Sequence, residues 1–156
     1  NMSQVPVPHG IGLREHYCRR WPAMRLLKRL SDEQHNGATS RQPTAPPRIR
    51  AQRSHYLNDD ADFFVLSSAR PLALQPTTNS CVSLGFLIND DFKRHVQFWN
   101  DDTIPRLDVN LTCERCPLTP AQCEDRVAPP TLHEAERSQQ RREDALAELT
   151  ASIRDA

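Results

Sequence analysis

Apolar residues recur along this chain with two different periods, and the switch between them lays out the expected elements. Trp21, Met24, Leu27 and Leu30 are spaced as on one face of a helix, and that face is expected to meet a core. Pro22 suits the first turn of this helix, because its missing N–H would have had no intrahelical partner. Residues 1–20, with Pro6, Pro8, Gly10 and Gly12, read as a looped approach, and residues 31–48, rich in Ser, Asn, Gly, Thr and Pro, as a loop. Residues 49–56 and 63–68 read as strands, and Asn58-Asp59-Asp60-Ala61 between them is turn chemistry, so a hairpin is expected. From 81 to 88 the chain is almost continuously apolar, the pattern of a buried central strand. Asn89-Asp90-Asp91 can cap a short helix carrying Phe92, Val96 and Trp99. Leu107, Val109 and Leu111 then alternate, which predicts a fourth strand leading into Cys113.

Pro129-Pro130 closes this unit, and residues 131–155 carry the clearest helical pattern in the chain. The apolar stripe of that helix is thin: Leu132, Ala135, Leu146, Leu149 and Ile153 flank a polar middle at 137–144. One end is expected to pack on the domain and the other on a partner; a solvated terminal helix accounts for the pattern equally well. The division expected is a domain over 1–130 and a C-terminal helix over 131–156.

Composition narrows the function classes. The chain has 156 residues, of which 37% are apolar and 26% charged, with 13 Pro and 4 Gly. One domain with a core and a good deal of polar loop suits those figures. Twenty basic and 20 acidic side chains cancel, so no overall field draws the chain to nucleic acid or to an anionic membrane. There is no apolar run near the roughly 20 residues that span a bilayer, and the first residues lack the pattern of a signal peptide. Opening on Asn rather than Met suggests a fragment of a longer protein. The Asn110-Leu111-Thr112 triplet is common by chance and is set aside. Five cysteines make an odd number, which fits a disulfide framework poorly. A cytoplasmic setting is expected, where thiols bind metals or catalyse more often than they cross-link.

Four cysteines carry the chemistry. Cys113-Glu114-Arg115-Cys116 is a C-x-x-C knuckle, whose spacing lets two sulfurs face one ion from a tight turn, and Cys123 follows after a short loop. The fourth ligand has to come from elsewhere, with Cys18, Cys81 and several histidines as candidates. Cys18 is the better one by context. It stands just before the Pro22 helix, with Arg14, Arg19 and Arg20 close by, where helix dipole and positive charge favour thiolate over thiol. Cys81 opens an apolar strand and reads as a small buried hydrophobe. Spacing alone does not choose between a four-thiolate zinc site and an iron–sulfur cluster. A thiol enzyme using Cys18 or Cys113 with His16 is a weaker reading, because no nucleophile–base–orienter set is visible. Asp90-Asp91 and Asp101-Asp102 are explained by caps and turns, Phe92, Phe98 and Trp99 by core packing, and Arg48, Arg50 and Arg53 by a solvated strand face, ahead of catalysis, a ligand pocket or phosphate binding.

Two segments resemble the C-terminal domain of bacterial short-chain fatty acyl-CoA regulators, relatives of transcription factors that join an Xre-type helix-turn-helix to an ImmA/IrrE-type domain. The first is Cys18-Arg19-Arg20-Trp21-Pro22; the second runs from Cys113-Glu114-Arg115-Cys116 to Cys123-Glu124-Asp125-Arg126-Val127-Ala128-Pro129-Pro130, with Leu84-Gly85 fitting between them. The gap from Cys116 to Cys123 is longer here than in that family, and the helix after Pro130 is an addition. The resemblance implies a regulatory domain of mixed GAF- or PAS-like character; joined to the elements read above, the expected fold is α+β, a GAF/PAS-like antiparallel sheet with flanking helices and a long C-terminal helix. It implies a non-enzymatic sensor in which Cys18, Cys113, Cys116 and Cys123 hold an iron–sulfur cluster, 4Fe-4S in preference, with zinc as the alternative. The partners it implies are a small molecule such as a short-chain acyl-CoA, and DNA solely through a helix-turn-helix part outside this chain; apart from the resemblance, a homodimer is an open alternative and no membrane is expected.

Overall fold

Helix α1 (Pro22–His35), strands β1 (Arg48–Tyr56), β2 (Ala61–Pro71) and β3 (Asn79–Leu87), helix α2 (Asp90–His95), a 3-10 turn (Gln97–Asn100), strand β4 (Arg106–Val109) and helix α3 (Thr131–Arg154) follow one another in a computed structural model. It describes residues 15–37, 46–75 and 78–154. The fold is α+β. The four strands form one sheet in the order β3-β2-β1-β4. β1 and β2 pair antiparallel from Arg48↔Ala69 to Tyr56↔Ala61, as the hairpin pattern predicts, and β2 also pairs antiparallel with β3. The sheet is mixed, however, and not purely antiparallel, since β4 runs parallel to β1 from Arg53↔Arg106 to Tyr56↔Val109. A parallel neighbour needs a crossover, and the chain after β3 supplies it with α2 and the 3-10 turn.

The almost continuous apolar run expected to be a central strand is β3, and it lies at an edge. Val82, Leu84 and Phe86 are all exposed. By register they share one face with Leu66 and Phe64 of β2 and with Ile49 and Ala51 of β1. At one end of that face Phe64 is buried beneath Phe92 and Phe98, with ring centroids 5.6 and 5.9 Å away. Beyond it the apolar lane is open, and Ile49 is exposed as well.

The other face carries α1. Leu26 and Leu30 pack with Ala69, and Leu27 and Cys81 lie against them. Helical spacing puts Pro22, Leu26 and Leu30 inward, one position round from the expected Trp21–Met24–Leu27–Leu30 face, and Met24 is half-buried. α1 also continues through 31–35, read from the sequence as loop. Those residues are polar, but two of them are tied to neighbours: Glu33 accepts from Arg29 at 3.0 Å and pairs with Arg48 at 3.0 Å, and the Gln34 and Asn79 amides exchange bonds of 3.2 and 2.8 Å. The helix stops at Asn36-Gly37, where Gly37 takes a left-handed φ of 69°. Asn89 caps α2 as expected, accepting from the Phe92 N–H at 2.8 Å. α2 ends at His95, so Trp99 belongs to the 3-10 turn that follows.

The expected arginine face is split. Alternation along β1 points Arg48 and Arg50 to the α1 side, while Arg53 faces the other way and donates to Ile104 O at 3.1 Å. Asp91 pairs with Arg94 at 3.0 Å, and Asp101 accepts from the Thr103 hydroxyl at 2.6 Å, which are local helix and turn roles. Among the described residues no helix is long and apolar enough to cross a membrane.

Candidate metal centre

A second interior is built from cysteine and polar side chains. Cys18, Cys113, Cys116 and Cys123 are 6%, 5%, 4% and 7% exposed, and none is disulfide-bonded. They are absent from the cluster formed by Leu26, Leu30 and Ala69. Their buried company is Asn110, Thr112 and Glu114. Cys81, by contrast, is half-buried on β3 and packs against the α1 core, so the structure separates it from the other four.

Backbone bonds bring the four together. Just past β4 the chain forms an antiparallel bridge, Tyr17↔Thr112. Its flanking bonds run from Cys18 N–H to Leu111 O at 3.2 Å and from Cys113 N–H to His16 O at 2.9 Å, which sets Cys18 beside the knuckle. Within the knuckle the Cys116 N–H donates to Cys113 O at 3.3 Å, closing the tight turn that C-x-x-C spacing predicts. The loop then turns back, with Cys123 N–H donating to Thr119 O at 3.1 Å. Trp21 Nε1–H donates to Asn110 O at 2.8 Å, tying the start of α1 to the same strand end.

Four side chains to which the sequence assigned no contact hold this scaffold, Arg126 among them although it belongs to the segment that carries the resemblance. Arg126 donates to the carbonyls of Cys113 at 3.0 Å and Cys116 at 3.3 Å, and to that of Leu118. Its Nε is buried with no hydrogen-bond partner. Asn110, 1% exposed, donates to Arg115 O at 3.1 Å and exchanges amide bonds with Asn58. Glu15 accepts from Thr112 Oγ1 at 2.9 Å and from Arg115 Nε at 2.8 Å. Buried Glu114 accepts from the His16 N–H at 2.9 Å, and its Oε1 lies 2.7 Å from His16 Nδ1. Such contacts act on backbone groups or on one distant charge, so they leave no motif. His16 therefore faces Glu114, whereas the thiol-enzyme reading needs it turned to a cysteine.

Burial governs the thiols. It pushes Cys18 above its ordinary range against backbone hydrogen bonds at Asn110 and Arg20, and the neighbouring Cys116 and Cys113 push the same way. The expectation that helix dipole and arginines favour thiolate over thiol at Cys18 left out this burial, which outweighs the lowering backbone hydrogen bonds. Cys116 is likewise raised by burial, with Leu118's backbone and Arg126 opposing and Cys123 and Cys113 adding to the rise. Tyr56 is pushed up to about 12 by burial and by the nearby Cys18. Burial also opposes the charge on Glu114, but the hydrogen bonds from His16 outweigh it and leave that carboxyl below its usual range.

The cysteines thus lie close enough to act on one another's ionisation. Yet among the described residues no group of three or more His, Cys, Asp and Glu side chains is arranged to hold a metal ion. A tetrahedral zinc site needs all four sulfurs at about 2.3 Å from one point. Arg126, with its Nε–H buried and unpartnered, sets a positive charge beside Cys113 and Cys116. No family model, curated protein or solved structure matches this chain.

Proposed function

We propose that this chain is a regulatory domain, not an enzyme, in which Cys18, Cys113, Cys116 and Cys123 hold an iron–sulfur cluster, with 4Fe-4S favoured over zinc. The observation that carries this reading is the burial of four free thiols from three chain segments, together with polar Asn110, Thr112 and Glu114 and outside the apolar cluster of Leu26, Leu30 and Ala69. Unliganded thiols are poor cross-links, and an interior this polar gains little from the hydrophobic effect. When bound, a cluster supplies covalent cross-linking of the segments and one-electron redox chemistry. Arg126 offsets negative charge at the site with its guanidinium, and its unpartnered Nε–H is free for a sulfur acceptor. The sheet, the helices flanking it and the cysteine pattern also support a GAF/PAS-like sensing domain of the short-chain acyl-CoA regulator type. Its signal there would be a metabolite or the redox state, and DNA would be reached through a part outside this chain.

Anaerobic purification from iron-replete cells tests the reading. The expected protein is brown, absorbs near 400 nm, and yields iron and acid-labile sulfide in equal amounts. Single Cys→Ser changes at 18, 113, 116 and 123 should each remove the colour, and Cys81→Ser should keep it. Stoichiometric zinc without sulfide would replace this reading with a structural zinc module.

A further inference from the structure

Helix α3 is the longest element among the described residues, and it carries no buried side chain. It is held at its start by the Glu114 carbonyl, which accepts the Leu132 and His133 N–H groups at 3.0 Å each. Further along, Leu146, Leu149 and Ile153 are 63%, 57% and 68% exposed. Those residues continue a regular seam. Leu132, Ala135, Gln139, Arg142, Leu146, Leu149 and Ile153 follow in alternating steps of three and four, which is the a/d pattern of a two-helix coiled coil. Most helical stability comes from packing of such a face, not from propensity.

We propose that α3 pairs with α3 of a second copy of this chain as an antiparallel two-helix coiled coil. The polar middle of the seam sets both partner and direction. Parallel pairing in register would bury Arg142 against the second copy's Arg142, two like charges in a desolvated layer. Antiparallel pairing about a two-fold axis between Gln139 and Arg142 sets each Gln139 against the second copy's Arg142. Leu132 then meets the second copy's Leu149, and Ala135, which is small, meets its Leu146. The guanidinium of Arg142 comes beside Glu136 and Glu143 of the second copy, so opposite charges flank the polar layer. Glu143 already accepts from Gln139 on its own helix at 2.9 Å, which draws that carboxylate towards the seam. Ile153 extends past the second copy's Leu132 towards its Val127, itself exposed. None of this depends on what the cysteines hold.

Sedimentation of the full chain at tens of micromolar should give the mass of two chains. The double variant Leu146→Glu/Leu149→Glu should be monomeric while the thermal unfolding of the sheet domain is unchanged, because both leucines are exposed in their own chain. Arg142→Glu, which keeps the apolar seam but sets acid against acid, should raise the dissociation constant at least tenfold. Direction is read with the photo-crosslinking residue p-benzoylphenylalanine at position 146, and peptides around residue 135 of the other copy are the expected adducts. A monomeric parent chain, a dimer that survives the double substitution, or adducts centred on residue 146 would each overturn the proposal.

Discussion

Arg126 performs for an irregular loop what a neighbouring strand performs in a sheet, since it satisfies carbonyls that would otherwise be buried unpaired. Arg126→Ala strands those of Cys113, Cys116 and Leu118, and each lost bond to a charged donor costs on the order of 1–3 kcal/mol. We expect at least 2 kcal/mol, roughly two such bonds, off the unfolding free energy in urea. Arg126→Lys should recover less than half of the loss, because an ammonium on one stem lacks the planar fork. Recovery by Lys to the parent value would show that charge alone matters there. The cysteines were readable from sequence because their chemistry resides in the residue type. The contacts of Arg126, Asn110 and Glu114 were not, because their partners are backbone carbonyls, amides and a residue almost a hundred positions away. The ionisation of Cys18 was misjudged for a related reason: positive neighbours are visible in a sequence, whereas depth of burial is not.

Among the elements, α1 and β2 share the tightest apolar contact. Leu30 is 1% exposed and packs on Ala69, so Leu30→Ala should cost about 2–5 kcal/mol through lost burial and the void left behind. A denaturation midpoint unchanged from the parent would mean that α1 is not part of the cooperative unit. The strands were legible to within a few residues, as were the Asn89 cap and α3. The depth of β3 was not, since an apolar run reads the same at an edge as at the centre when nothing states what covers it. Parallel pairing of β4 was equally hidden, because four residues of alternation carry no direction. The polar half of α1 was lost to composition: Ser31 to His35 look like loop until Arg29, Arg48 and Asn79 are placed around them.

Among the described residues, the interior between α1 and the sheet is apolar, whereas the one around the four cysteines is built of cysteine and polar groups. Chelation or oxidation of a bound centre should therefore act on one and spare the other. In hydrogen exchange, segments 15–20 and 110–130 should lose protection on removal of the centre, while amides around Leu30 and Ala69 keep theirs. Uniform loss across both would show a single cooperative interior. Glu114 adds a mechanical consequence. Its carbonyl grips the first turn of α3 from between two of the cysteines, and α3 runs 24 residues, about 36 Å, from that grip. A lever so proportioned converts a knuckle rotation of about 10° into a displacement of roughly 6 Å at its tip, comparable with one helical turn.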